Sequence, residues 1–339
     1  MQQVFQTVNV LFRFQNAPNN EFPLKNNIKL HTYNCIPLSP STGVLEWVDN
    51  TTSFGDYLYR SSDGKKVGAH EKYHPGEWDI SLCRSHYICS PRDEKRHSYD
   101  QICKNFTPCF RFFFLERFSH SPQRWHDARM SYIRSVAVNS IVGHILGIGD
   151  RHSHNILIHE RTGEVVHIDF GIVFEQGKLL STPETVPFRL TRDVVDGFGP
   201  IGTDGAFTKA AQATAEVLRE NADTLITVLS AVVSDPLYSW SVSPVKARQR
   251  EDDTTIFSSK ENNSDHSGNI SMPALAMIAE NENDAATRTI AKINEKLQGY
   301  EEGTFGERQT VEGQVRLLIN AARDPDNLCA LYHGWMPWL

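Results

Sequence analysis

Residues 147–171, GIGDRHSHNILIHERTGEVVHIDFG, constrain the fold more than any other stretch of the chain. Two short apolar runs, Ile156–His159 and Val165–Ile168, flank the turn Glu160-Arg161-Thr162-Gly163, the pattern of an antiparallel hairpin. Pairing about a turn centred between Arg161 and Thr162 puts Asn155 opposite Ile168, and therefore beside Asp169 at the hairpin's mouth. Asp150 lies five residues before Asn155, on the loop that leads into the same mouth. One amide and two carboxylates thus converge on a small volume.

The remainder of the chain must form the scaffold that holds this mouth. At 339 residues it can bury a substantial core, as one two-lobed unit or two domains. Val4, Val8, Leu11 and Phe12 fall on one face of an amphipathic helix over residues 1–15. Segments 28–38 and 43–48 read as strands about a Ser-Pro-Ser-Thr-Gly turn, and 60–80 as loop. From Tyr99 to Gly147 the pattern is helical; Ile133, Val136, Ala137, Ile141 and Ile145 recur at three- and four-residue steps, marking a buried helix. A loop to about Thr191 precedes helices through 240. Residues 247–270 are polar and charged without apolar periodicity, the signature of a flexible linker. A helix-prone stretch over 273–298 follows, and Val311–Leu339 reads as one short helix with an aromatic tail.

Hard oxygen donors grouped as Asp150, Asn155 and Asp169 suit Mg²⁺, which takes a few protein oxygens and keeps the rest of its shell for water and substrate phosphates. The spacing Asp-x-x-x-x-Asn followed by Asp-Phe-Gly is the catalytic-loop and metal-loop arrangement of protein kinases. A lone Asp in a glycine-rich turn is usually a turn or cap residue. The ordered set of Asp150, His152, Asn155 and Asp169 on one hairpin favours a functional reading.

The order Asp-Arg-His, rather than His-Arg-Asp, resembles the phosphoinositide-3-kinase superfamily. Residues 171–199, GIVFEQGKLLSTPETVPFRLTRDVVDGFG, look like the activation loop of the ATM branch of the PI3K-related protein kinases. The ending GWMPWL resembles the FATC tail of that family, and TYNCIPLSPSTGVLEWV its adenine-holding strand and hinge; the Phe-Phe-Leu-Glu-Arg-Phe and Gly-Trp-x-Pro-Trp-Leu wordings look most like plant members. The resemblance implies an α+β, two-lobed PI3K/PI4K-type protein-kinase-like fold with an incomplete small lobe and a mostly helical large lobe. It divides the chain into residues 1–50 (remainder of the small lobe), 51–245 (large lobe, catalytic loop 147–155, activation loop 169–191), 246–306 (polar linker or regulatory segment) and 307–339 (FATC).

The resemblance also implies roles. Asp150 orients the substrate hydroxyl or accepts its proton; His152 stabilises charge on the transferred phosphoryl or assists proton movement. Asn155 and Asp169 hold Mg²⁺ on the phosphates of ATP. Trp47 lies against adenine, backbone groups of Glu46 and Val48 bond its edge, and Tyr33 lines the inner pocket. A phosphoinositide headgroup requires clustered cations, yet between Asp169 and Thr191 stand only Lys178 and Arg189 against Asp169, Glu175 and Glu184. A protein substrate is therefore expected, Ser or Thr followed by Gln by family likeness, in a nuclear kinase of DNA double-strand-break signalling. The expected partners are a break-sensor complex reached through a missing N-terminal region, and a second copy in the full-length protein.

A glycine-rich loop, the strand lysine for the α/β-phosphates and its acidic partner do not precede the first helix; the first glycine is Gly43. The expectation is that the chain begins partway through the small lobe and alone has little kinase activity. The alternatives are a catalytically dead short form acting as an interaction scaffold, or a lipid kinase. A net charge of −7 offers no basic face for nucleic acid. No run of 18 apolar residues is long enough to span a bilayer, there is no secretory signal, and a soluble intracellular protein is expected. Cys83, His86 and Cys89 have no second half with ligand spacing, so the six cysteines read as free or buried thiols rather than a zinc site. The Phe-dense stretch over 110–118 reads as core, and Trp335 and Trp338 as packing against the catalytic lobe.

Overall fold

The computed structural model describes residues 1–15, 28–39, 42–59, 67–233, 286–304 and 306–339. Its elements in order are α1 (Gln2–Gln15), β1 (Cys35–Ser39), β2 (Thr42–Leu45), β3 (Thr51–Ser53), α2 (Phe54–Leu58), α3 (Ala69–Tyr73), α4 (Ile80–Cys89), α5 (Lys95–Asn105), α6 (Arg111–Phe118) and α7 (Pro122–Ile145). These are followed by β4 (Ile156–His159), β5 (Val165–His167), α8 (Arg192–Asp196), α9 (Ala206–Glu220) and α10 (Ala222–Val233). Helix α11 (286–298), α12 (Val311–Arg323) and α13 (Pro325–Leu328) complete the described set. Among the described residues β1 and β2 form one antiparallel pair, and β3-β4-β5 a three-stranded antiparallel sheet in that order. The result is a few small strands on a mostly helical body.

The long helix α7 organises that body. Its start is capped by Ser121, whose hydroxyl accepts from the Arg124 N–H, with Pro122 supplying a preset helical φ. From Tyr132 onward nearly every side chain is apolar or small, so all sides can be buried, against α9 on one flank and α6 on the other. Phe110, Phe113, Phe114 and Phe118 are buried there, with Phe110 and Phe114 packed on Tyr132. Polar atoms inside α7 are used locally: the Ser135 hydroxyl donates to the Tyr132 carbonyl and accepts from the Val165 N–H at 2.9 Å. That last bond fixes the first residue of β5 against the helix.

Helix α1 buries Val4, Phe5, Val8, Leu11 and Phe12 on α9 and α10, the face its spacing predicts. The strand expected over 28–38 forms only from Cys35; residues 28–34 are not strand. The reason is a competing partner. The Asn9 side-chain amide donates to the Leu30 carbonyl at 2.9 Å and accepts its N–H at 2.8 Å, and Gln2 Oε1 accepts from the Tyr33 N–H. These helix side chains satisfy the backbone that a neighbouring strand otherwise serves.

Three further expectations change. The loop expected over 60–80 contains α3, and α4 lies just beyond it, capped by Asp79 accepting from the Leu82 N–H at 2.6 Å. The helical stretch from Tyr99 to Gly147 is broken into α5, α6 and α7. The C-terminal segment holds α13 as well as α12. The linker read over 247–270 and the first part of the helix-prone 273–298 lie outside the described residues, as do 234–240; α11 covers the rest of the latter stretch.

The turn of the β4–β5 hairpin rests on α7 through Gly163, which has φ +74°; a Cβ there would stand 2.5 Å from the Ala128 carbonyl oxygen. Gly163→Ala should therefore destabilise the protein by about 2 kcal/mol or more. Chemical denaturation measures this, and an unchanged midpoint would contradict the contact.

Candidate active site

The hairpin has the register its sequence demands. Ile156 pairs with His167, and the Ile168 N–H donates to the Asn155 carbonyl at 3.1 Å, so Asn155 stands opposite Ile168 and next to Asp169. Asn155 is buried, and its amide NH₂ donates to the Asp150 carbonyl at 2.9 Å. That bond closes the loop 150–155 and leaves the Asn155 amide oxygen as the end available to a cation. Asp169 is exposed; its Oδ1 accepts from the Gly171 N–H at 3.1 Å.

Both aspartates have left-handed backbones, Asp150 at φ 54° and Asp169 at φ 53°. Such conformations cost energy for a residue with a Cβ and persist only where neighbours over-determine them. Arg151 does much of this. Only 4% exposed, it donates through Nε to the Gly149 carbonyl at 2.9 Å, through Nη1 to the Ile168 carbonyl at 2.7 Å, and through Nη2 to the Asp169 carbonyl. One guanidinium thus spans the loop before β4 and the loop after β5. Glu184 does the rest, accepting the Asp150 N–H at 2.7 Å. Burial raises the Glu184 carboxyl to about 7, the Asp150 N–H bond opposing it.

His152 is neutral in this setting. Burial lowers its pKa, Asp150 pulls the other way, and His154, Arg151 and Arg189 lower it further. Its Nδ1 accepts from the His154 N–H at 3.2 Å, which assigns the ring proton to Nε2. His154 is an anchor: its ring nitrogens lie 3.1 Å from Ser53 Oγ and 2.7 Å from the Tyr59 hydroxyl, binding the loop to α2 and its cap. Tyr33 is buried with its phenol pKa raised, first by burial; Arg151 and Asp169 act on it in opposite directions, which brings it within electrostatic reach of the mouth.

Among the described residues, no hydrogen bond joins the expected hinge residues to this group. Glu46 closes the β1–β2 hairpin, its Oε2 accepting from the Asn34 N–H and side-chain NH₂, both at 2.8 Å. Val48 accepts from the Thr51 hydroxyl at 2.8 Å and so leads into β3, which pairs with β4. Trp47 between them is 85% exposed, and β1 and β2 are exposed throughout.

Sequence reasoning missed Arg151 and Glu184 as positioning groups, and took Arg189 only as a loop cation. Arg189 is buried. It donates to the Trp335 and Met336 carbonyls at 2.7 and 3.0 Å and to the Arg151 carbonyl at 3.4 Å, with its guanidinium 4.3 Å from the Trp335 ring. The aromatic tail is therefore built into the site's wall, with Trp338 fully buried against Tyr87. A groove of about 1060 Å³ runs from Gly149 past Gly177, Glu184 and Pro187 to Glu302.

Taken together, the arrangement offers two oxygen donors for a divalent cation, a carboxylate at a loop tip, a neutral imidazole N–H donor and an adjoining groove. Residues 1–242 match the family model described as phosphatidylinositol 3- and 4-kinase, and residues 308–339 match the FATC domain. Over its whole length the chain is 42% identical to the serine/threonine-protein kinase ATM of Arabidopsis thaliana, covering 8% of it. It is 41% identical to the serine-protein kinase ATM of Sus scrofa, covering 11% of that protein. Among solved structures, the open conformation of CtTel1 matches all of the chain at TM-score 0.78 and 34% identity, and a Tel1 kinase butterfly symmetric dimer at 0.77 and 36%. The chain covers 11% and 12% of these two structures, so it spans about a tenth of the relatives it matches. The chain belongs to the phosphatidylinositol 3- and 4-kinase family, in the FATC-bearing company of ATM and Tel1.

Proposed function

We propose that this chain carries the phosphotransfer site of a serine/threonine protein kinase that moves the γ-phosphoryl of ATP to a protein hydroxyl. The observation that carries this reading is the convergence of Asp150, Asn155 and Asp169 at one hairpin mouth, fixed by the fork of Arg151. The Asp150 carboxylate orients the acceptor hydroxyl and takes its proton as the new O–P bond forms and the bond from the γ-phosphorus to the bridging oxygen of ADP breaks. His152, protonated on Nε2, donates toward the oxygens of the phosphoryl in transit. Asn155 and Asp169 hold Mg²⁺, which neutralises phosphate charge when bound. Tyr33 lines the inner nucleotide pocket, while Trp47, Glu46 and Val48 receive adenine.

A protein substrate is favoured over a lipid by what the activation segment's cations are doing. Lys178 is ion-paired with Glu175 at 2.5 Å and with Glu302 at 2.9 Å, and Arg189 is buried in the tail. Neither is left for a phosphoinositide headgroup, whereas a groove of about 1060 Å³ beside Glu184 offers a peptide a place to lie. By likeness to ATM and Tel1, the acceptor is Ser or Thr before Gln, the work is DNA-damage signalling in the nucleus, and the full-length protein pairs with a second copy, as the Tel1 dimers do.

In the full-length protein, Asp169→Ala should weaken Mg·ATP binding by about a hundredfold, and His152→Ala should lower kcat by a similar factor while leaving nucleotide affinity unchanged. The 339-residue chain alone should show little turnover. Nucleotide titration and phosphorylation of a Ser-Gln peptide read these out. Mg·ATP affinity unaffected by Asp169→Ala would refute the site, and faster phosphorylation of phosphatidylinositol vesicles than of peptide would refute the substrate class.

Glu184 supplies a pH test. Its folded carboxyl is raised from 4.5 to about 7, so its contribution to stability is complete below about pH 4.5 and is lost as pH rises through 7. Glu184→Gln keeps an acceptor for the Asp150 N–H and is neutral throughout. It should therefore be less destabilised than the native protein on going from about pH 5 to about pH 8 in chemical denaturation. Parallel profiles for the two proteins would show that Glu184 ionises as an ordinary surface carboxylate.

A further inference from the structure

The geometry points to a second binding site that uses none of Asp150, His152, Asn155 and Asp169: a pocket between α6, the start of α7 and the loop after α8 that receives a carboxylate side chain of a partner peptide. The pocket has a volume of about 480 Å³, and its walls include Arg111, Leu115, Trp125, Arg129, Asp196 and Pro200. That size is typical of sites that enclose a side chain or small ligand.

Its two arginines differ in one respect. Arg111 is fully matched: its backbone N–H donates to one Asp196 oxygen at 2.8 Å and its Nη2 lies 2.7 Å from the other. Arg129 has no hydrogen-bond acceptor or carboxylate partner among the described residues, and its Nε is buried and unpaired. Its guanidinium lies over the Trp125 ring, 4.3 Å from the centroid, and the Trp125 indole N–H is a second buried donor without an acceptor. Burial alone acts on the Arg129 pKa, lowering it, with no neighbouring charge to restore it.

The loop is shaped to leave this guanidinium a place. Gly199 has φ +86°, and a Cβ there would come within 3.0 Å of Arg129 Nη1, so a side chain would crowd the fork. An unpaired, partly buried cation beside an unpaired indole N–H is costly to keep. An incoming oxyanion supplies the acceptor that the guanidinium lacks, since a guanidinium fork donates to two oxygens in its plane.

The charge count selects the anion. With Arg111 neutralised by Asp196, the pocket has one uncompensated positive charge, which matches a monoanionic carboxylate; Asp196 on the wall disfavours a phosphate dianion. Leu115 and Ile201, exposed at the rim on one side and just after Pro200, favour an apolar residue next to the carboxylate. The occupant is therefore a Glu or Asp followed by an aliphatic side chain, presented by a partner protein.

The test is titration of the full chain with acetyl-Glu-Leu-amide, followed by the Trp125 indole N–H resonance, which Trp125→Phe identifies. Saturable binding is expected, at least tenfold weaker for acetyl-Gln-Leu-amide and at least tenfold weaker in Arg129→Gln. Arg129→Lys, which retains the charge without the fork, should fall between, and thermal denaturation establishes that each variant is folded. Equal binding of the Glu and Gln peptides, binding undiminished in folded Arg129→Gln, or no shift of the Trp125 resonance would each overturn the site. Tighter binding of acetyl-phosphoSer-Leu-amide would overturn the carboxylate assignment.

Discussion

Three carbonyl oxygens, those of Gly149, Ile168 and Asp169, accept from the single buried guanidinium of Arg151. Everything the site does depends on this fork. It spans two loops that the chain separates by a hairpin, and it presents donors in a fixed plane that a lysine cannot reproduce. Burial makes the charge expensive, lowering the Arg151 pKa, and Asp150, Glu184 and Asp169 offset that cost in turn. The carboxylates around the mouth thus serve the fork as the fork serves them. A neighbouring histidine is kept neutral for the same reason: burial and then Arg151 hold the His167 pKa well below its ordinary value.

A second buried network ties residues 173–178 to the far end of the sequence. Lys296 on α11 donates to the His144 carbonyl at 2.7 Å and to the Glu175 carboxylate. Burial pushes the Glu175 carboxyl up, but Lys296 and Lys178 prevail and bring it to about 2. His144 lies 3.0 Å from Glu301, which accepts from Gln314 of α12 at 2.6 Å, and the same amide donates to the Lys296 carbonyl at 2.8 Å. Removing one partner from a buried pair strands the other charge, at a cost of about 3–5 kcal/mol. The conformation of residues 173–178 therefore depends on side chains more than a hundred positions later.

The parts of this architecture that could be read in the sequence are those decided locally. The β4–β5 hairpin was legible because its register follows from two short runs about one turn, and α7 because its apolar positions repeat at helical spacing. Helix α4 carried a signal, Asp79 as cap, but its apolar residues do not form one stripe, since it packs on both α5 and the tail. Residues 28–34 looked like strand and are not, because Asn9 and Gln2 on α1 take their backbone groups. Arg189 and Glu184 were opaque for a different reason. Their meaning lies in partners brought together only by the fold; the Trp335 carbonyl that Arg189 holds is 146 residues away.

The backbone strain at the site explains why such remote partners are needed. Asp150, Asp169, Phe174 and Glu175 all adopt left-handed conformations without being glycine, at a cost of about 1–3 kcal/mol for each residue in so sparsely populated a region. Local hydrogen bonds alone do not offset four such residues within 26 positions. Arg151 compensates from within the segment by holding the Asp169 carbonyl, and the rest comes from outside it: Glu184 at Asp150, Lys296 at Glu175, and the tail carbonyls through Arg189. Arg151, Arg189 and Lys296 are buried and Glu184 half-buried, so their hydrogen bonds operate where water competes little. The C-terminal helices and the Trp335–Leu339 tail thus form one unit with the hairpin and the loop that follows it, because their groups hold Glu175 and Arg189 in place.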